Sequence, residues 1–307
     1  MESLAPIVLS IIAAATPLLF AAVGELVVEK SGVLNLGVEG MMLTGAVFAF
    51  IVGVETGNPA LSVLAGAIMG AAMALLFALL TLGMLANQVA TGLALTLFGI
   101  GLSALFGQSY VGTPLDKLPL LNIPGLSDLP ILGPILFGQD ALVYLSFIMT
   151  TVVWLFLYRT RAGLVLRSVG ENPHAAHAIG FPVVMIRLGA VLFGGAMAGL
   201  GGAYLSLSYT PMWSEEMTAG RGWIALALVV FASWRPGRVL IGAYLFGGLT
   251  LAQLHLQGTG GISIAAQFLN MLPYIATIVV LVIISRDAAK IRLNAPASIG
   301  KVFHPDG

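Results

Sequence analysis

Long apolar segments recur along almost the whole chain, and they constrain its fold more than any other feature. An α-helix needs about 20 consecutive apolar residues to cross the hydrocarbon core of a bilayer. Segments of suitable length lie near residues 6–27, 32–53, 60–84, 90–107, 141–158, 184–206, 222–234, 238–254 and 270–285. The sequence therefore predicts an all-α, polytopic transmembrane helical bundle of about nine spans, with residues 1–307 forming a single transmembrane domain.

The low charge content excludes a soluble alternative. Only 8% of the 307 residues are charged, whereas soluble domains carry about 25%. The net charge is +0, so the composition offers no attraction for nucleic acid. The chain has no cysteine, no histidine pair with metal-site spacing in an apolar setting and no phosphate-binding glycine loop. We therefore predict no cofactor, no metal site and no catalytic residue.

Basic residues indicate which loops face the cytoplasm. They cluster in three polar segments, around 159–187, at 235–238 and in the tail from 286 to 301. Loop 108–140 carries three aspartates and one lysine, so we expect it outside, together with 207–221 and 255–269. Nine crossings then place the N-terminus outside and the C-terminus inside. If the short segment 222–234 only re-enters the membrane, the N-terminus changes side.

The stretch "GELVVEKSGVLNLGVEGMM", residues 24–42, brings charges and glycines to the junction of two apolar segments. Glu29 and Lys30 are open to a second interpretation, a solvated loop, but Asn35 and Glu39 are followed directly by apolar sequence. Broken backbone in a bilayer is tolerated only where protein buries it or water lines it, and ionisable residues there face the bundle interior or a pathway. The stretch therefore predicts an interrupted helix that lines a translocation path, with Asn35 and Glu39 facing that path.

A second polar group opens the apolar segment "ANQVATGLALTLFGIG". It consists of Asn87, Gln88 and Thr91. Amide and hydroxyl groups of this kind hydrogen-bond either a neutral polar solute or neighbouring helices, and the sequence does not decide between the two. We include these three residues among the candidates for the substrate path.

A short cytoplasmic helix is predicted within "RAGLVLRSVGENPHAAHAIGFPV", residues 161–183. An Asn-Pro pair suits the start of a helix, the alanines favour its interior, and a glycine suits its end. The alanines are small enough for close approach to a soluble partner. The residues assigned to this contact are Glu171, Asn172, Pro173, Ala175, Ala176 and Gly180.

Small residues at helix-packing spacing occur twice. Gly66 and Gly70 form one GxxxG motif, and Gly195 and Gly199 form another. Membrane helices associate through close backbone contact, because lipid tails are as apolar as leucine side chains. The motifs therefore predict a compact bundle without indicating its function.

Four blocks occur in a fixed order: "SGVLNLGVEGMML", "NQVATGLALTLFGIGLS", "RAGLVLRSVGENPHAAHAIGFPV" and "GRGWIALALVVFASWRPGRVLIGAYLFGG". Together they resemble the permease subunits of bacterial ABC importers of the branched-chain amino acid and ribose class, most closely the nucleoside or simple-sugar branch. The resemblance implies a coupling helix at Glu171–Gly180, an interrupted helix at Ser31–Gly40 and a glycine-led segment at Gly220–Trp234. The turn "FASWRPGR" departs from the family's glycine-rich or Asn-Pro turn.

The resemblance also implies partners and a location. These are an ATP-binding cassette subunit that hydrolyses ATP, a second homologous permease giving a heterodimer, an extracytoplasmic substrate-binding protein and a small neutral solute. The chain itself would be non-catalytic, surrounded by membrane lipid as a multi-pass protein of the bacterial inner membrane. The few charges along the predicted path favour a neutral polar solute, and nucleosides fit.

Other functions remain open at this stage. An ABC permease for a simple sugar or a branched-chain amino acid would share most of these features. A proton- or sodium-coupled secondary transporter could use Glu25, Glu29 and Glu39 as coupling groups. An intramembrane enzyme would need a histidine, and His255 is the only one near a span, with no nucleophile to pair with it.

Overall fold

The computed structural model describes residues 4–121, 125, 127, 133–258 and 294–304, together with 268, 271, 272, 275, 276, 278, 279 and 282. Within these residues the chain forms α-helices and no strand. The helices are α1 (Leu4–Lys30), α2 (Val38–Thr56), α3 (Pro59–Ala78), α4 (Gln88–Gly107), α5 (Ala141–Arg159), α6 (Arg161–Glu171), α7 (Pro173–Ala178), α8 (Val183–Tyr204), α9 (Arg221–Phe231) and α10 (Pro236–Gly258).

The predicted all-α membrane bundle is confirmed. Six described stretches are long and apolar enough to span a bilayer: Ala5–Lys30, Val38–Thr56, Pro59–Gly83, Gln88–Tyr110, Ala141–Arg159 and Val183–Tyr209. Turns of π-helix extend α3 to Gly83 and α8 to Tyr209. The predicted span near 238–254 corresponds to α10, and most of the predicted span 270–285 lies outside the described residues.

The two GxxxG motifs pack against each other, as helix α3 crosses helix α8. A Cβ atom added to Gly70 would lie 2.7 Å from the Cα of Gly199, and one added to Gly66 would lie 2.7 Å from the Cβ of Ala203. Gly45 of α2 meets the same Gly199 backbone. Glycine therefore lets α2, α3 and α8 approach at backbone distance and form the centre of the bundle.

One end of the bundle gathers the chain segments that carry basic residues. Lys30, the last residue of α1, donates from Nζ to the carbonyl of Asn294 at 2.7 Å. The buried guanidinium of Arg187 reaches the carbonyls of Ser31 and Lys301 at 3.1 and 3.3 Å. Because cytoplasmic loops are the ones enriched in arginine and lysine, this is the end that is predicted to face the cytoplasm. Arg286, Lys290, Arg292 and Asp128 lie outside the described residues.

Candidate functional site

The first irregular segment runs from Ser31 to Gly37, between α1 and α2. The chain reverses at Gly32, whose φ of +88° is a left-handed conformation that glycine adopts without strain. The backbone N–H of Asn35 then donates to Glu25 Oε1 at 3.2 Å. Glu25 lies five residues before the end of α1, which is about 7.5 Å along the helix. The segment therefore returns into the bundle alongside α1. Helix α2 begins at Val38, later than the predicted start near residue 32.

The second irregular segment runs from Thr210 to Gly220, between α8 and α9. Trp213 is buried against Ala46, Val47 and Phe50 of α2, so the chain descends along that helix from the outer end of α8. The prediction that 207–221 is an external loop is therefore wrong. A non-polar, α2-facing side chain draws this segment into the bundle, which the polar "SEEMTAGRG" does not suggest.

Helix α9 completes the crossing that the second segment begins. Its 11 residues cover about 16 Å, roughly half of a hydrocarbon core. Beyond its end, the Trp234 indole donates to Glu29 Oε2 at 2.5 Å, near the cytoplasmic end of α1. Segment 210–220 and α9 thus form one crossing, half irregular and half helical, and not a continuous span at 222–234.

Glu39 joins the two irregular segments. Its Oε1 accepts hydrogen bonds from Thr218 Oγ1 at 2.5 Å and from the Gly220 amide at 2.8 Å, and its Oε2 accepts from the Gly222 amide at 2.6 Å. The side chain is 6% exposed. Glu39 lies in the first turn of α2 and also against the first turn of α9, so one carboxylate meets the positive ends of two helices.

The glycines around this junction allow that contact. A Cβ added to Gly222 would lie 2.6 Å from both the Glu39 backbone and its Oε2. Gly220 has a φ of +80°, which positions its amide toward the carboxylate before α9 begins. The sequence analysis missed Thr218, Gly220 and Gly222 as partners of Glu39, although "TAGRG" at the start of an apolar helix was a usable signal.

Asn35 and Gln88 lie at the first irregular segment and hold its backbone. Asn35 is fully buried, and its Oδ1 accepts from the Gly37 amide at 2.9 Å. Gln88 of α4 accepts from the Leu34 amide at 2.8 Å. The Gln88 Nε2 is buried and has no hydrogen-bond partner among the described residues. Gln88 was predicted to hydrogen-bond either a solute or a neighbouring part of the protein. Its Oε1 does the second, and its Nε2 keeps a hydrogen-bond donor that no described residue accepts.

The other two residues predicted near the path lie apart from Glu39. Asn87 is exposed and caps α4 by accepting from the Ala90 amide at 3.0 Å. Thr91 is half-buried one turn later. Thr96, which the sequence analysis did not select, donates to the Leu36 carbonyl at 3.0 Å and is a further link between α4 and the first irregular segment.

Glu25 links the first irregular segment to α1, and Glu29 links the turn after α9 to α1. Glu25 accepts a hydrogen bond from the backbone N–H of Asn35, and Glu29 accepts one from the Trp234 indole N–H. Both glutamates are 1% exposed and Lys30 is 8% exposed, so a solvated loop at Glu29 and Lys30 is ruled out. The three glutamates of the opening stretch therefore share a structural pattern, in which each carboxylate accepts from the irregular parts of the chain.

The predicted short cytoplasmic helix is present as α7. The Asn172 side chain accepts from the Ala175 amide at 3.0 Å, Pro173 occupies the first turn, and Gly180 ends the segment with a φ of +92°. Ala176 is only 3% exposed and packs in a cluster with Val169, Val183 and Phe303. The expectation that Ala176 approaches a partner is therefore wrong, because its methyl group faces the chain's own core. Pro173 is buried too, whereas the residues exposed to a partner are Glu171, Asn172, His174, Ala175, His177, Ala178, Ile179 and Gly180.

Comparison with known proteins gives a consistent set of relatives. The family model described as "Branched-chain amino acid transport system / permease component" matches residues 7–284. The putative glucose ABC transporter permease protein TsgC13 of Haloferax volcanii is 42% identical, over 93% of each chain. The nucleoside ABC transporter permease protein NupC of Lactococcus lactis is 35% identical, over 90% of each chain.

The guanosine ABC transporter permease protein NupQ of Bacillus subtilis is also 35% identical, over 89% of this chain and 92% of its own. Weaker matches from two of the same organisms are the glucose permease TsgB13 of Haloferax volcanii, at 25% identity, and the guanosine permease NupP of Bacillus subtilis, at 22%. No solved structure gave a significant match.

Proposed function

The chain belongs to the branched-chain amino acid transport system permease family, and we propose that it forms half of the path through which an ATP-driven importer moves a nucleoside. It is a multi-pass permease of the cell membrane and a transport component. Beyond family membership, we propose the substrate, the surface that lines the path and the roles of the other subunits.

One observation carries the proposal: two irregular segments enter the bundle and meet at Glu39. Residues 214–216 and Ala219 of the second segment are exposed. Irregular backbone exposed to lipid would leave its amides and carbonyls unsatisfied at a cost of several kcal/mol per group. This surface must therefore face water or another protein, which is what the wall of a path between two permease subunits does.

Arg221 supports the same assignment. It opens α9, about 16 Å from the cytoplasmic end of that helix, and is half-buried. Its guanidinium donates to the carbonyls of Met217 and Thr218 at 3.3 and 3.0 Å and lies 5.4 Å from the ring centre of Tyr209. A guanidinium at this depth is tolerated where it faces the bundle interior or a water-filled cavity, not hydrocarbon.

The electrostatics favour a neutral solute. Helix N-termini at mid-membrane depth would normally attract an anionic substrate. Here Glu39 already occupies the positive ends of α2 and α9, and the Arg221 guanidinium is engaged by carbonyls and an aromatic ring. These groups would therefore attract an anionic solute only weakly, and the Glu39 carboxylate would repel it. A nucleoside carries hydrogen-bonding groups and no charge, and the two relatives at 35% identity are named for a nucleoside and for guanosine.

The specific candidate that competes with a nucleoside is glucose, because the relative at 42% identity is named for it. Both solutes are neutral and polar, so the Glu39 argument holds for either. Within the path we assign Glu39, Asn35 and Gln88 to shaping the irregular segments. For Asn87 and Thr91, a place along the substrate path stays a prediction.

The remaining subunits follow from the same family. We propose that ATP is hydrolysed by a separate ATP-binding cassette subunit, which contacts the exposed residues on and beside α7, namely Glu171, Ala175 and Ile179. Ile179 is 73% exposed, so its apolar side chain is accessible to a partner. A second permease would complete the path, in the manner suggested by two permeases each in the glucose and guanosine systems of the relatives. An extracytoplasmic binding protein would deliver the solute.

Uptake by proteoliposomes tests the proposal. The chain is reconstituted with its ATP-binding subunit, second permease and binding protein, and radiolabelled guanosine, uridine and glucose are compared. We expect nucleoside uptake that requires internal ATP, stops with vanadate and survives collapse of proton and sodium gradients. Uptake driven by an ion gradient without ATP would instead identify a secondary transporter, and uptake of glucose alone would replace the nucleoside assignment.

A further inference from the structure

A groove lies at the cytoplasmic end of the bundle, between the end of α5 and the start of α10. It has a volume of about 540 Å³. The residues that line it are Trp154, Tyr158, Arg235, Pro236, Gly237, Arg238 and Asn294. Trp154 and Tyr158 are one helical turn apart and are 41% and 37% exposed. This groove is separate from the junction at Glu39 and from the exposed face of α7.

The groove is strongly cationic. Arg235 and Arg238 are both exposed. Arg159 lies over the Trp154 ring at 5.8 Å, and Arg167 lies over the Tyr158 ring at 5.2 Å. None of the described residues that line the groove carries a carboxylate. The described lining of the groove therefore presents positive charge at the level of the membrane surface that faces the cytoplasm.

Above the arginines, the groove continues as an apolar surface toward the membrane centre. On α10, Ile241 and Leu245 are 65% and 42% exposed, and on α5, Phe147 lies two turns before Trp154 on the same face and is 38% exposed. The rings of Phe147 and Tyr244 stack with centroids 5.9 Å apart and close the space between the two helices. That aromatic pair lies about 10 Å along α5 from Trp154.

We propose that this groove binds one anionic phospholipid of the cytoplasmic leaflet, with its phosphate between Arg235 and Arg238 and its acyl chains along α5 and α10. Three independent features fit that ligand. Tryptophan and tyrosine are enriched at the membrane interface, where the lipid glycerol region lies. Arginines on the cytoplasmic side attract anionic headgroups. The exposed apolar side chains can pack against acyl chains, whereas a soluble anion or an acidic protein segment would not contact them.

Brominated lipids test the proposal, because bromine quenches the fluorescence of a tryptophan that it contacts. The assembled transporter is placed in phosphatidylcholine bilayers that contain a small, increasing fraction of brominated phosphatidylglycerol or brominated phosphatidylcholine. The chain has four tryptophans, so the Trp154 signal is taken as the difference between the wild type and Trp154→Phe. An arginine near an anionic surface favours binding by about fivefold, so we expect half-quenching at a phosphatidylglycerol fraction at least fivefold lower than that of phosphatidylcholine.

The double variant Arg235→Gln/Arg238→Gln should bring the two lipids within twofold of each other. Arg161→Gln is the matched control, since Arg161 is exposed at the same end but does not line the groove. Its lipid preference should equal that of the wild type. If the double variant does not assemble, the proposal is tested on the wild type by raising the ionic strength. Its preference for phosphatidylglycerol must then shrink, because that preference is based on charge.

Three results would overturn the proposal. Equal quenching by both lipids in the wild type would mean ordinary contact with bulk lipid. No quenching by either lipid would mean that another subunit covers Trp154. Loss of the preference on adding inorganic phosphate at constant ionic strength would mean a site for the free anion.

Discussion

Replacing Glu39 by glutamine tests the junction of the two irregular segments with little change in shape. Three donors point at this carboxylate: the Thr218 hydroxyl and the amides of Gly220 and Gly222. A glutamine side chain keeps one oxygen and places an NH₂ group where the other oxygen was. At least one buried donor then faces another donor, and the negative charge at the two helix N-termini is lost.

The magnitude follows from these contacts. Leaving a buried donor without an acceptor costs about 1–3 kcal/mol, and losing a favourable charge at a helix N-terminus costs about 0.3–1 kcal/mol for each helix. The sum, about 1.6–5 kcal/mol, would make local opening of the first turn of α9 roughly 15- to 5,000-fold more frequent. Hydrogen exchange measured by mass spectrometry on peptides covering residues 214–224 reports that opening. We expect faster exchange there, together with reduced uptake at equal membrane abundance.

Two further variants calibrate the effect. Glu55→Gln changes a carboxylate on the same helix that is exposed and accepts from the Tyr110 hydroxyl at 2.8 Å, so exchange at 214–224 should not change. Thr218→Val removes one donor and leaves the Glu39 side chain unchanged, and its effect should be smaller than that of Glu39→Gln. Unchanged exchange at residues 218–222 in Glu39→Gln, with normal uptake, would refute the claim that Glu39 holds α9 in place.

Four other substitutions have expected outcomes. Ala175→Arg should insert normally but weaken copurification of the ATP-binding subunit, because Ala175 is exposed on α7, whereas Ala176→Arg should lower membrane abundance, because it forces a charge into a buried cluster. Gly199→Leu should abolish accumulation of folded protein in a detergent-solubility assay, since a Cβ there already meets the backbone of α3. Arg187→Met should lower the melting temperature by several degrees in a thermal-shift assay, because it removes hydrogen bonds from the guanidinium to the C-terminal segment and to Ser31 of the first irregular segment.

Much of the fold was accessible from the sequence, because apolar segments of membrane length and basic loops are strong, local signals. The ends of α7 illustrate this, since Asn172, Pro173 and Gly180 have local preferences that no distant contact overrides. Residues 210–220 show the opposite case. Their polar composition is that of an external loop, and only packing of Trp213 against α2 takes them into the bundle. That contact joins residues more than 160 positions apart and leaves no periodic pattern.

The candidate site was predicted in part for the same reason. Charges next to an apolar segment identified Glu39 and Asn35, because such charges are rare in membranes. The partners of Glu39 lie about 180 positions away, and nothing in a single sequence connects Gly222 with it. The burial of Ala176 likewise depends on Phe303, at the far end of the chain. Local pattern therefore identified polar side chains, and tertiary packing determined which surface each one faces.

The central claim is that the irregular segment 210–220 faces an aqueous path, and single-cysteine labelling tests it most directly. The chain has no native cysteine, so Ala219→Cys provides one thiol on the exposed part of that segment. Leu97→Cys is the control, because Leu97 is 70% exposed on the apolar face of α4. In the assembled transporter, a water-soluble maleimide should modify position 219 and block uptake, while position 97 stays unmodified in hydrocarbon. Equal protection of both thiols, or full uptake after modification at 219, would contradict the account.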